Sequence, residues 1–198
     1  MTQAMPIRLV HFVTGGGTGA TRVALDLALA QAASGKYQPQ LIFRYKGRPL
    51  SSVMQGQIEA AGIPLHWVQN LLPRGRVIRQ LEGLCKQIQP TIFFAHGYSE
   101  HLWGRRAAIA QKVPVVLHVE HNVERYPFWR VWAARKLNAQ TAATICVSTG
   151  VEDNVRRLGI GGQRILTLLS GVGISRFACD TPLRERTPDI LLAARFAR

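Results

Sequence analysis

The chain has 198 residues, of which 47% are hydrophobic and 18% charged, a globular balance that excludes a disordered tail, a collagen and a mucin-like stalk. With 25 Lys and Arg against 11 Asp and Glu, its formal net charge is +14. Such a field attracts anions of every kind, from free phosphates to nucleic acid to an acidic membrane face.

Apolar strand-like runs alternate with helix-like patterns from end to end. Residues 7–13 read as the first strand, 21–34 as an Ala- and Leu-rich helix closed by Gly35, and 40–45 as the second strand. A helix over 50–61 ends at Gly62, and 65–68 form a short third strand. Val77, Leu81, Leu84, Cys85 and Ile88 recur at helical spacing, and Pro90 stops that helix. A fourth strand over 91–95, a helix over 102–111, a fifth strand over 115–119 and a helix over 129–137 follow. Residues 144–147 are the sixth strand. Ser148 is placed to cap a helix ending near Gly159, and 165–169 are the seventh strand. Continuous apolar strands joined by helical crossovers predict an α/β, Rossmann-like open sheet, mostly parallel, with helices on both faces. This domain spans residues 1–178. Residues 179–188 are polar, contain two prolines and read as a linker, and 189–198 read as the first strand of a second, truncated domain.

Cys85, Cys146 and Cys179 are too widely spaced for a disulfide framework and suit a reducing compartment. No apolar run reaches the ~18 residues of a membrane-spanning helix, and residues 1–6 lack a secretory pattern. The expected location is cytoplasmic, with membrane contact from that side.

The loop of Gly15, Gly16, Gly17, Thr18 and Gly19 joins the first strand to the first helix. Open α/β sheets bind ligands outside the carboxyl ends of their strands, where glycines let backbone approach a phosphate and a helix N-terminus favours negative charge. Gly15, Gly17 and Ala20 fit the dinucleotide spacing G-x-G-x-x-A. The second strand ends with Arg44 and Lys46 rather than the acidic residue that an NAD ribose needs. An NADP-dependent reductase is therefore one reading, with Arg44 toward a 2′-phosphate, although no Tyr-x-x-x-Lys pair is present.

His118 and His121 lie three apart along the fifth strand and point to opposite faces, which argues against one shared metal. With no Cys-x-x-Cys or His-Glu-x-x-His pattern either, no metal is expected. His121, at the strand's mouth beside Asn122, is placed to bond a sugar hydroxyl or a phosphate oxygen, and His96 ends the fourth strand in a similar position. His11, His66 and His101 read as packed side chains, and Arg105 and Arg106 as helix surface. Arg74, Arg76 and Arg79 read as a loop that is either simply exposed or turned to an acidic acceptor. Arg125, Trp129, Trp132 and Lys136 share one helical face by spacing. That face suits an anionic membrane surface, or else the tryptophans pack on the sheet. No helix-turn-helix, zinc-finger or RNP-like pattern appears, so no nucleic-acid partner is expected.

Several of these segments together resemble the N-terminal half of a family 4 (group 1) glycosyltransferase of GT-B architecture. Gly19-Ala20-Thr21-Arg22-Val23 and the following Leu25-Asp26-Leu27-Ala28 are similar to that family's opening Gly-Gly-Ala-Glu-Arg-Val…Leu-Asp-Leu-Ala, with Thr18 for the first glycine and Thr21 for the acidic residue. His118-Val119-Glu120-His121 is similar to its His-x-x-His, and Cys146-Val147-Ser148 to its Val-Ser before a helix. Residues 170–177 resemble its Asn-Gly-Val-Asp…Phe turn, and 190–196 the first strand of its C-terminal domain. The resemblance implies retaining transfer from a nucleotide-sugar to a cell-surface glycan or lipid-linked acceptor of lipopolysaccharide or capsule type, with no metal or other cofactor. It implies that loop 15–19 approaches the donor diphosphate or acceptor, that His121 bonds the donor sugar, and that His96, His118 and Asn122 border the cleft. The nucleotide would sit on the missing C-terminal domain, a partner without which this chain turns over little. The competing reading is a stand-alone module for an anionic glycan or lipid.

Overall fold

The computed structural model describes residues 6–47, 49–69, 75–171, 173–174 and 181–185. Seven strands, β1 (Ile7–Thr14), β2 (Tyr37–Tyr45), β3 (Leu65–Gln69), β4 (Ile92–His96), β5 (Val115–Glu120), β6 (Ala143–Cys146) and β7 (Arg164–Thr167), form one sheet in the order β3-β2-β1-β4-β5-β6-β7. Every neighbouring pair is parallel. The helices are α1 (Gly19–Ala33), α2 (Ser52–Ala60), α3 (Gly75–Ile88), α4 (Glu100–Ala110), α5 (Phe128–Arg135) and α6 (Thr149–Leu158). This is the Rossmann-like α/β sheet expected from the alternating pattern. The turn over Leu183–Glu185 lies within the expected linker, whereas Cys179 and the strand expected over 189–198 lie outside the described residues.

Local chemistry sets the helix ends. Thr18 caps α1 by accepting from the Thr21 N–H at 3.1 Å, and the Thr21 hydroxyl donates back to the Thr14 carbonyl at 2.8 Å. Ser148 caps α6 through the Val151 N–H, and Gly159 ends it in the left-handed conformation. The stripe Val77, Leu81, Cys85 and Ile88 is buried and packs α3 with α4 against Val10, Phe12 and Phe93 of the sheet. Ala24, Leu25 and Ala28 of α1 pack with Val13, Leu41 and Phe43 in a separate cluster. Strand residues alternate faces, so the two clusters lie on opposite sides of the sheet.

Three boundary expectations need correction. The helix α3 starts at Gly75, so Arg76 and Arg79 are helical rather than in a loop; Arg74 lies outside the described residues. Arg125 precedes α5 and does not share its face, because Pro127 caps that helix and disfavours helical geometry in the residue before it. Arg105 is not on the helix surface. It is fully buried, and its guanidinium donates to Thr141 Oγ1 at 2.9 Å, Asn138 Oδ1 at 3.2 Å and the Ala134 carbonyl at 3.3 Å. Burial lowers its pKa to about 10, which still leaves it charged at neutral pH. The last turn of α5 and the segment between it and β6 supply these acceptors, and that allows a cation to be enclosed.

Gly104 sets how closely α4 approaches the sheet. A Cβ there would lie 2.8 Å from Phe12 Cδ1 and 3.0 Å from Phe93 Cε1. Gly104→Val therefore overpacks the centre of the core and lowers stability by about 1–3 kcal/mol. Urea unfolding measures this, and an unchanged midpoint would refute the close packing.

Candidate functional site

Strands β2 and β3 build outward from one edge of β1, and β4 to β7 from the other. The chain therefore changes direction between β1 and β4, and the crevice at their carboxyl ends is where such sheets accept ligands. A cleft of about 530 Å³ lies there, bounded by the ends of β1, β4 and β5 and the start of α1. Thr18, Gly19, His96, His121 and Asn122 line it. His118 does not. It is fully buried, its ring stacked on His101 at 4.2 Å, on the face opposite His121 as strand alternation requires.

Gly15, Gly16 and Gly17 are not among the residues that line this cleft. Gly15 donates its N–H to the Arg44 carbonyl at 2.8 Å, and a Cβ there would lie 2.8 Å from Trp67 Cζ3 and 2.9 Å from that carbonyl. Its missing side chain lets the loop pass under Trp67, and Gly16 turns the chain at φ 93°.

Ion pairs and hydrogen bonds fix the walls. Arg44 Nη2 lies 2.7 Å from Glu100 Oε1, both side chains being buried, and Lys46 Nζ lies 3.7 Å from the same oxygen. Arg44 is thus consumed inside the protein and is not presented to a 2′-phosphate, which removes the feature that favoured a reductase. Glu100 also accepts from the Ser99 N–H at 3.1 Å, and α4 begins at Glu100, two residues earlier than its apolar pattern suggests. Burial alone would raise the Glu120 carboxyl. The His118 imidazole at 3.4 Å, the Tyr126 hydroxyl at 2.6 Å and the His121 N–H at 3.1 Å outweigh it and hold the carboxyl below its usual value. Glu120 thereby anchors the loop that carries His121.

Behind His121 runs a line of side chains, of which the sequence points to His96 but not to His11 or Gln31 as part of the site. His96 Nδ1 is 3.1 Å from His121 Nε2, His96 Nε2 is 2.9 Å from His11 Nδ1, and His11 Nε2 is 2.8 Å from Gln31 Oε1. Among the described residues, no three His, Cys, Asp or Glu side chains are grouped to hold a metal ion. A second, larger cavity of about 780 Å³ lies among α3, α4 and α5, where Trp129, Trp132 and Lys136 line it together with Trp103, Arg79 and Arg106.

Burial lowers the pKa of His11 and of His121 to about 4, and that of His96 well below 6.5. Between these values and the unfolded value near 6.5, the unfolded chain holds more protons than the folded one, so stability falls as the pH falls through that window. For the enclosed His11 alone, the cost of protonation that develops between pH 7 and about pH 4 is on the order of 3 kcal/mol. Thermal unfolding should shift down steadily from about pH 6.5, above the range where carboxylates titrate. A flat profile between about pH 6.5 and 5 would contradict neutral, buried rings.

The solved structures similar to this one include a glycosyltransferase from Rickettsia africae ESF-5, at TM-score 0.69 and 14% identity over 87% of this chain and 45% of that one. Anabaena HepE in complex with UDP aligns at TM-score 0.65 and 12% identity over 85% and 45%. The apo form of the lipopolysaccharide outer core galactosyltransferase WaaB aligns at 0.61 and 15% over 81% and 44%. A UDP-GlcNAc 2-epimerase from Neisseria meningitidis, bound to UDP-GlcNAc, shares the fold at 0.56 and 12% over 81% and 45%. At these identities the likeness is one of fold, and the chain spans less than half the length of each. No curated protein matches its sequence. The family model of Glycosyltransferase Family 4 matches residues 17–176, which hold the α1 cap, His121 and all the cleft-lining residues except Val13 and Thr14 at the end of β1. The chain belongs to Glycosyltransferase Family 4 and forms an N-terminal domain of that family.

Proposed function

We propose that this domain is the acceptor-side lobe of a retaining enzyme that transfers a sugar from a nucleotide-sugar to a cell-surface glycan or lipid-linked acceptor, of lipopolysaccharide or capsule type. The observation that carries the reading is the convergence of the α1 N-terminus, Lys46 and His121 on one cleft at the switch point. A helix N-terminus suits an acceptor oxygen, the Lys46 ammonium is held against Glu100 at the rim, and a neutral imidazole suits a sugar hydroxyl. The complex of HepE with UDP is in keeping with a nucleotide-sugar donor. On this reading the nucleotide binds a second lobe beyond the linker at 179–188, no metal or other cofactor takes part, and His96 and Asn122 border the sugar.

The exposed aromatic face is read as the membrane contact of a protein on the cytoplasmic side. Phe128 is 86% and Trp132 62% exposed, and Lys136 Nζ lies 3.4 Å above the Trp132 ring. Apolar rings beside Arg79, Arg106 and Lys136 suit a bilayer carrying anionic lipid. Among the described residues, no helix is long and apolar enough to cross a membrane.

In the two-lobed enzyme, His121→Ala should cut turnover more than tenfold while the unfolding temperature stays near that of the parent. Unchanged turnover would remove His121 from the site. Product analysis separates transfer from the epimerisation known for a protein of the same fold, and full activity of this domain alone would overturn the two-lobe reading. A Trp129→Ala, Trp132→Ala double variant should lose several-fold of its co-sedimentation with phosphatidylglycerol vesicles, with phosphatidylcholine vesicles as the neutral control. Equal sedimentation of parent and variant would exclude this face.

A further inference from the structure

A neutral imidazole carries one hydrogen, and the bond made by one ring nitrogen decides what the other can offer. The rings of His11, His96 and His121 are joined in series, so one choice propagates through all of them. Gln31 presents its amide oxygen to His11 Nε2 at 2.8 Å. That oxygen only accepts, so His11 carries its hydrogen on Nε2 and leaves Nδ1 as a lone pair. His96 Nε2, 2.9 Å from that lone pair, must then be the donor. His96 Nδ1 becomes the lone pair that accepts from His121 Nε2 at 3.1 Å. At the end of the series is His121 Nδ1, a bare lone pair with no hydrogen-bond partner among the described residues, on a side chain that lines the cleft.

We infer that Gln31 and His11, which do not themselves line the cleft, are positioning residues that act through His96 to hold His121 as its Nε2–H tautomer, so that its Nδ1 accepts a hydroxyl of the bound sugar rather than donating to a phosphate. The hydroxyl end of this inference rests on the proposed sugar site; the tautomer does not.

The series resists reversal because its links are enclosed. His11 is fully buried and His96 nearly so. The His11 ring is clamped by a stacked Phe94 at 4.5 Å, and the His96 ring lies parallel to His121 at 5.3 Å. Flipping the tautomer of one ring alone would set two lone pairs or two hydrogens against each other, so the rings change together or not at all. Burial also keeps all three uncharged at neutral pH, which preserves a single direction of donation. The consequence is selectivity. A phosphate oxygen without a hydrogen meets a lone pair at Nδ1 and is repelled, whereas a sugar hydroxyl donates to it.

Nitrogen NMR of the chain labelled with 15N-histidine at pH 7 tests this, with His121 assigned by the signals lost in His121→Ala. The expected result is an unprotonated Nδ1 and a protonated Nε2 at His121. In Gln31→Leu, water takes the amide's place, donates and accepts alike, and imposes no direction. The His121 signals should then move toward the average of the two tautomers. Gln31→Glu keeps an acceptor oxygen and should leave Nδ1 unprotonated. His11→Phe, which keeps a ring against Phe94, should release His121 as Gln31→Leu does. A protonated Nδ1 in the parent, or identical His121 signals in parent and Gln31→Leu, would overturn the inference. These signals do not depend on catalysis, so the correct tautomer in a chain whose two-lobed form transfers no sugar would count against the glycosyltransferase reading alone.

Discussion

Strand β1 is hydrogen-bonded along both edges, to β2 and to β4, and the cleft depends on that position. A parallel strand covered on both faces must pair all its backbone groups and bury its side chains, so Leu9, Val10, Phe12 and Val13 are enclosed. The one polar side chain within that run, His11, can be accepted only with partners. It finds them in Gln31 of α1 on one side and His96 of β4 on the other. The same pairing that places the ends of β1 and β4 side by side thus turns a buried polar group into a connection between the core and the mouth of the cleft.

The remaining buried polar groups follow the same rule. Arg44 and Glu100 tie β2 to α4, Glu120 and Tyr126 tie β5 to the segment after it, and Arg105 ties α4 to the segment leading into β6. An enclosed charge without a partner is strongly destabilising, so removing either member of such a pair disrupts more than the pair itself contributes. These ties hold the strand ends that carry His96, His121 and Lys46, and the rigidity of the cleft comes from polar pairs beside it as much as from the apolar core below.

Features that depend on local pattern could be read in the sequence. Apolar runs located all seven strands, Ser148 and Gly159 located the ends of α6, and alternation separated His118 from His121. Features that depend on distant partners could not. The His11–His96 bond joins residues 85 apart, and the Arg105–Thr141 bond residues 36 apart, so His11 looked merely packed and Arg105 exposed. Gly15 suggested a phosphate loop because Trp67, the ring that needs the space, lies on β3. Pro127, by contrast, is itself a local signal that the helix has not yet begun at Arg125.

Charge is distributed unevenly over this domain. Several of its cations are spent internally: Arg44 faces Glu100, and Arg105 is enclosed by neutral acceptors. Lys46, on the cleft, shares Glu100 with Arg44, and Glu124 also lines the cavity. His121 and His96 add no charge at neutral pH. The cleft is therefore close to neutral despite the net charge of +14, and the exposed cations Arg79, Arg106 and Lys136 lie elsewhere, around the tryptophan cavity. A near-neutral cleft with an oriented acceptor nitrogen suits a sugar ring better than a diphosphate, whose departure builds charge that needs fixed cations or donors. On the proposed reading, those groups belong to the lobe that binds the nucleotide, and the basic surface of this domain serves the membrane rather than the reaction.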